Sequence, residues 1–126
     1  MKVKIELIPV PVTDVDRAIA FYAEKVNFSL DHDIKVQPGV RFVQMTPEGS
    51  ACSIVFGEGI TEREPGTQEI QCVVDDVRVL RDELIANGVE ATEVEDLDWG
   101  SFTYYKDPDG NSWAMQQMPA HQDATT

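Results

Sequence analysis

Apolar and polar positions along this chain fall into one pattern that occurs twice. Residues 5–12 form a near-continuous apolar run interrupted by Pro9 and Pro11. Proline cannot donate to a ladder, so this strand is expected at an edge or a bend of its sheet. Thr13 or Asp14 then caps a helix running to about Val26, with Ala18, Phe21, Tyr22 and Val26 on its inner face. Strands are predicted over residues 29–36 and 40–46, joined by the turn Gln37-Pro38-Gly39. After the turn Pro47-Glu48-Gly49, residues 51–56 read as a further strand, followed by a polar, turn-rich stretch over 57–66.

The pattern then restarts. Residues 69–74 predict a strand, and Asp75 or Asp76 caps a helix to Asn87, with Gly88 where a left-handed C′ residue belongs. Val77, Leu80, Leu84 and Ile85 make its apolar stripe. A strand is expected near residues 89–94, followed by an acidic loop carrying Glu93, Glu95, Asp96 and Asp98. Trp99-Gly100 leads into a strand over 102–105, the turn Asp107-Pro108-Asp109-Gly110, and a last strand over 112–117.

The two cap positions, Thr13 and Asp75, lie 62 residues apart in a chain of 126, so two copies account for nearly all of it. The predicted fold is α+β, with two tandem βαβββ modules whose curved mixed sheets enclose a cavity. Module one spans 1–57, a linker 58–67 and module two 68–119, together one domain, with 120–126 expected as a disordered tail. A half of this size cannot bury its sheet alone, so the copies must pack on one another or on a second chain.

Composition narrows the function classes. Ten Lys and Arg against 23 Asp and Glu give a net charge of −13 and a pI near 4.3. Such a field repels nucleic acid and anionic membranes and attracts cations, although it also serves solubility alone. A hydrophobic fraction of 42% with 26% charged residues is that of a globular protein. No apolar run approaches the ~20 residues of a membrane span, and the start runs straight into a strand rather than a signal peptide. Cys52 and Cys72 lie in apolar strand runs and read as buried thiols, so a cytoplasmic location is expected.

The segments Asp14-Val15-Asp16-Arg17-Ala18-Ile19-Ala20-Phe21-Tyr22 and Asp107-Pro108-Asp109-Gly110-Asn111-Ser112-Trp113, inside a detectable repeat, closely resemble the vicinal oxygen chelate superfamily. That superfamily includes glyoxalase I, extradiol dioxygenases and the bleomycin-resistance proteins. The motif residues themselves read as scaffold: a cap, two packing aromatics and a tight turn. The resemblance implies a homodimer in which a second chain completes each site. It also implies, in metal-using members, one ligand on the first strand and one on a later strand of each copy.

Anchored on the helix caps, the first-strand positions are Leu7 and Glu69, again 62 apart. The later-strand positions are Val55 and Ala114. Three of the four are apolar, and one carboxylate cannot hold a catalytic ion that wants at least three protein ligands. Asp31-His32-Asp33 does not substitute, because consecutive strand residues alternate faces, and His121 falls in the tail. No metal and no cofactor are therefore expected.

Strand alternation puts Leu7, Pro9, Ser53, Val55, Glu69, Gln71, Ala114 and Gln116 on the face that holds ligand in the family. This set is mostly apolar with a few polar groups, as organic-ligand sites are. Trp99, Phe102 and Tyr104 flank the second copy and could stack on a flat ring; Trp113, one step out of phase, is expected in the core. Arg41 pairs either with Glu69 or with surface carboxylates. Glu69 either sits in the cavity, as a general base or a partner for an amine, or points to water. The expected function is non-catalytic sequestration of a small aromatic natural product, a cationic one being favoured by charge, as in bleomycin resistance. The alternatives are a glyoxalase-like lyase or related enzyme with an atypical metal or none, in which Glu69 is the catalytic candidate, and a binder of an ordinary metabolite.

Overall fold

A computed structural model describes residues 1–120. The predicted tail, with His121, lies almost wholly outside them. Two βαβββ modules follow one another along the chain. The first contains β1 (Leu7–Pro9), α1 (Val15–Ala20, continued as a wider π-type turn over Phe21–Lys25), β2 (Ser29–Gln37), β3 (Val40–Thr46) and β4 (Ser53–Glu58). The second contains β5 (Glu69–Val73), α2 (Val77–Ala86), β6 (Glu95–Leu97), β7 (Gly100–Lys106) and β8 (Ser112–Gln117). Each module builds one four-stranded mixed sheet, in the orders β1-β4-β3-β2 and β5-β8-β7-β6.

The chain divides into two compact units. The first unit is Met1–Gln68 together with Asp107–Asn111; the second is Glu69–Lys106 with the chain from Ser112 onward.

In the first unit β1 takes the sheet edge, where Pro9 lacks a donor at no cost to a central ladder. Asp14 caps α1 by accepting from Arg17 N at 3.0 Å. The helix packs Tyr22 among Phe28 and Phe56, ring centroids 5.4 and 5.8 Å away, and Asn27, at φ 59°, turns the chain out of it. Val43, Met45, Ile54 and Phe56 complete this core. The turn 107–111 belongs here too. Tyr22 donates to Asp107 Oδ2 at 2.7 Å, and Asn111 Nδ2 donates to Pro11 O and to Asp107 Oδ2, both at 2.8 Å.

In the second unit Asp76 caps α2 by accepting from Arg78 N and Val79 N, both at 3.1 Å. Trp113, stacked on Tyr105 with centroids 6.1 Å apart, forms the core with Met115, Val77 and Leu84. The strand expected near 89–94 is not formed. Val89 and Ala91 are buried and Thr92 N donates to Tyr104 O at 3.0 Å. Side chains occupy the remaining ladder positions: Thr92 O accepts from Thr103 Oγ1 and Arg81 Nε, and Tyr104 N donates to Thr92 Oγ1. Regular pairing resumes only at β6, inside the stretch read as an acidic loop.

Candidate ligand-binding faces

The first sheet has one face against α1 and one away from it. Phe56, Ile54, Val43 and Met45 alternate onto the helix side. The parallel register pairs Leu7 with Ser53 and Pro9 with Val55, and the antiparallel register pairs Val55 with Gln44. These five residues therefore share the face away from the helix. His32 and Ile34, opposite Gln44 and Phe42, extend it.

A polar chain crosses that face. Gln44 Nε2 donates to Ser53 Oγ at 3.4 Å, Ser53 Oγ and Thr46 Oγ1 are 2.6 Å apart, and Thr46 Oγ1 donates to Asp31 Oδ2. Gln44, Thr46 and Asp31 were not among the sequence candidates. A polar residue two positions from Phe42 in an alternating strand was the available signal for Gln44. Nothing in the alternation signals Asp31, which arrives through a bulge between Leu30 and His32.

The second sheet repeats the arrangement with the same register. Glu69 pairs with Ser112, Gln71 with Ala114 and Val73 with Gln116; Ala114 pairs with Tyr104 and Gln116 with Phe102. Val77 N, at the start of α2, donates to Gln117 Oε1, so the odd-numbered positions of β8 face the helix. Gln71, Tyr104, Ala114, Phe102 and Gln116 share the face away from it. Phe102 and Tyr104 lie stacked, centroids 5.9 Å apart and planes 6° from parallel. Glu69 opens β5 on the same face and is exposed.

Trp99 is 61% exposed and is held through its backbone. Gln71 Nε2 donates to Gln116 Oε1 at 2.7 Å, and Gln116 Nε2 donates to Trp99 O at 2.8 Å. Gly100 permits this approach. At φ 143° a Cβ there would sit 2.7 Å from Gln117 O and 3.0 Å from Gln116 Nε2.

Arg41 leaves the predicted set. It lies an odd number of positions from Gln44, on the opposite face, where it donates to Asp33 from Nε and an Nη at 2.9 Å and to Asp16 at 3.0 Å. These bonds hold its guanidinium protonated well above its ordinary range and hold the Asp33 carboxyl below the usual carboxylate range. In the second unit Arg78, bonded to Asp96 at 2.8 Å, depresses that carboxyl in the same way, with Ser101 contributing.

The shared register makes Val55 and Ala114 equivalent positions, opposite Pro9 and Gln71. Neither they nor Leu7 carries a donor atom, which leaves Glu69 alone from the four positions a metal-using member would employ. Among the described residues no three His, Cys, Asp or Glu side chains gather in a group able to hold an ion. The residues present do not fit a catalytic divalent metal.

The family model described as the glyoxalase/bleomycin resistance protein/dioxygenase superfamily matches residues 4–115. The chain belongs to that superfamily. Among solved structures, it is similar to TnmS3, an antibiotic binding protein from Streptomyces sp. CB03234, at 29% identity and TM-score 0.85, covering 94% of this chain and 98% of the other. It is also similar to a glyoxalase/bleomycin resistance protein from the same organism, at 30% identity and TM-score 0.80, covering 90% of this chain and 100% of that one. An uncharacterized protein of Bacillus subtilis, YetH, is 25% identical over 119 residues, 90% of this chain and 98% of its own length. No helix among the described residues is long and apolar enough to cross a membrane.

Proposed function

We propose that this protein sequesters a small planar aromatic compound without transforming it, in the manner of an antibiotic-binding resistance protein. The observation that carries this reading is the set of aromatics on the second sheet, where the parallel Phe102–Tyr104 pair lies on the face away from α2 and the exposed Trp99 is held by its carbonyl to Gln116 of that face. Such rings bind flat π-systems by stacking and burial. The absence of donor atoms at three of the four metal positions disfavours the metal-dependent chemistries of the superfamily. Similarity to an antibiotic binding protein across 94% of the chain supports the same choice. A net charge of −13 favours cationic compounds among the aromatics.

Leu7, Pro9, Ser53 and Val55 on the first sheet, with Glu69, Gln71, Trp99, Phe102, Tyr104, Ala114 and Gln116 on the second, are the proposed lining. We place them in a homodimer in which each chain completes the other's site. Light scattering should give a mass near twice 14.1 kDa; a monomer at micromolar concentration removes the dimer from the proposal.

A thermal-shift panel of cytotoxic natural products, divalent metals and a methylglyoxal–glutathione adduct tests the function, since a ligand raises the melting point in proportion to its affinity. The expected outcome is a shift with a planar aromatic compound, accompanied by quenching of tryptophan emission. Trp113 is 1% exposed, so quenching reports Trp99. Stacking contributes about 1 kcal/mol, so Trp99→Ala should weaken binding about fivefold. Turnover of the adduct, or stabilisation by a metal alone, defeats the proposal.

A further inference from the structure

The polar chain on the first sheet runs in one direction only. Thr46 has one hydroxyl proton, and it points to the Asp31 carboxylate. In the 2.6 Å contact with Ser53, Thr46 must therefore accept and Ser53 must donate. That commits the single Ser53 proton. Toward Gln44 the Ser53 oxygen is then an acceptor only, which matches the Gln44 Nε2 donation at 3.4 Å. An amide turned the other way would set two acceptor oxygens against each other. Starting from the carboxylate, each group fixes the next, and the last to be fixed is the orientation of the Gln44 amide.

We infer that Gln44 is a specificity-determining ligand contact, presenting its amide carbonyl to a hydrogen-bond donor such as a phenolic hydroxyl or an amine N–H, with Asp31, Thr46 and Ser53 as its positioning residues. This rests on the reading of the face away from α1 as a binding surface. Gln44 stands there between Val55 on β4 and His32 on β2, one pair from Pro9 and two positions from Phe42. Its Nε2 is turned to Ser53, so its oxygen is turned away from Ser53 and makes no hydrogen bond among the described residues. A polar group on a binding face discriminates, because a bound ligand without the matching group desolvates the amide oxygen and leaves it unpaired. The second sheet offers no such contact from Gln116, whose oxygen and nitrogen are both engaged, by Gln71 and by the Trp99 carbonyl.

The test uses the full 15N-labelled chain and two probes of nearly equal shape, 2-naphthol, which can donate, and 2-methoxynaphthalene, which can only accept. Before any probe is added, the Gln44 side-chain amide protons should show a nuclear Overhauser contact to the Ser53 β-protons. Thr46→Val should abolish it and Thr46→Ser should keep it. On titration, one net hydrogen bond predicts that 2-naphthol binds about fivefold tighter than the ether. Thr46→Ser should retain that ratio, whereas Thr46→Val and Gln44→Leu should bring it to one. A missing contact in the wild type, equal binding of the probes, no binding of 2-naphthol, or a ratio unchanged by Gln44→Leu each overturns the inference. Sequestration itself is decided separately by the thermal panel and Trp99 emission, so equal binding of the probes removes the donor contact and leaves the stacking role standing.

Discussion

The two sheets share one strand order and one pairing register, yet the faces they turn away from their helices carry different chemistry. The first carries Leu7, Pro9, Val55 and Ile34 with Phe42 and His32, crossed by a hydroxyl and amide chain that ends on the Asp31 carboxylate. The second is aromatic, and its paired glutamines close on a backbone carbonyl. Backbone pairing needs only N–H and C=O groups in register, so a repeated unit keeps its ladder whatever side chains it carries. The side chains of the outer face are free of that demand. The repeat explains the scaffold, and its exceptions point to the chemistry.

The clearest exception is a turn. Thr46-Pro47-Glu48-Gly49-Ser50 joins β3 to β4 and Asp107-Pro108-Asp109-Gly110-Asn111 joins β7 to β8, and Gly49 and Gly110 both have positive φ, 81° and 95°. Ser50 is exposed and bonds only to its own loop, at Cys52. Asn111 is 1% exposed; besides Pro11 O and Asp107 it accepts from Gln68 N at 3.1 Å. Asn111→Ala leaves several buried groups unpaired, each worth about 1–3 kcal/mol, and should destabilise by about 3 kcal/mol in urea unfolding. Ser50→Ala should stay within about 0.5 kcal/mol of wild type, as surface substitutions do. Equal effects would mean that the turns are equivalent after all.

The starts of β3 and β7 differ as well. A Cβ on Gly39, at φ 81°, meets nothing within 4 Å, whereas one on Gly100 meets the Gln117 carbonyl and the Gln116 side chain. Gly39→Ala carries only the left-handed penalty of about 1–2 kcal/mol. Gly100→Ala adds a backbone clash and should cost more by about 1 kcal/mol, within the usual overpacking range. It should also release Trp99 from Gln116, seen as a shift in tryptophan emission that Gly39→Ala does not produce. An unchanged emission spectrum in Gly100→Ala would detach Trp99 from the glutamine pair.

Most of the scaffold was legible because its signals are local. Pro9 and Pro11 marked an edge strand, Asp14 and Asp76 are the caps, and apolar spacing found both helices. The alternation of Leu7 with Pro9, Ser53 with Val55 and Gln71 with Ala114 recurs in the paired strands. What escaped depends on contacts between residues distant in sequence. Thr92 ends its ladder through Thr103 and Arg81 side chains, so the strand near 89–94 looked sound from its apolar residues alone. Asp31 reaches Thr46 through a bulge, which period-two reasoning cannot anticipate. Of the two partners open to Arg41, Glu69 and surface carboxylates, it takes the carboxylates Asp33 and Asp16, on the face opposite Gln44. Leu7, Pro9, Ser53 and Val55 lie on β1 and β4, the strands that supply metal ligands in the family, and a metal-ligand pattern gives no signal for Gln44 on β3.

The smallest predicted difference concerns the two arginine–aspartate pairs. Arg41 has a side chain 14% exposed and holds Asp33 through two bonds, while Arg78 and Asp96 are 57% and 62% exposed. Both carboxyls titrate lower in the folded chain than in the unfolded one. Each pair therefore contributes stability above the unfolded carboxylate value, near pH ~4, and loses it as the pH falls through the lower folded value. Asp33→Asn should lower the urea midpoint at pH 7, and its difference from wild type should shrink below about pH 4. Asp96→Asn should leave the midpoint nearly unchanged at pH 7, and the small difference should vanish in 0.5 M salt, on the order of a Debye length of 4 Å. The Asp33 difference should persist in that salt, because the half-buried arginine and its paired bonds are screened less. If salt erases both differences alike, the lower exposure of Arg41 confers no advantage and the two ion pairs are energetically the same.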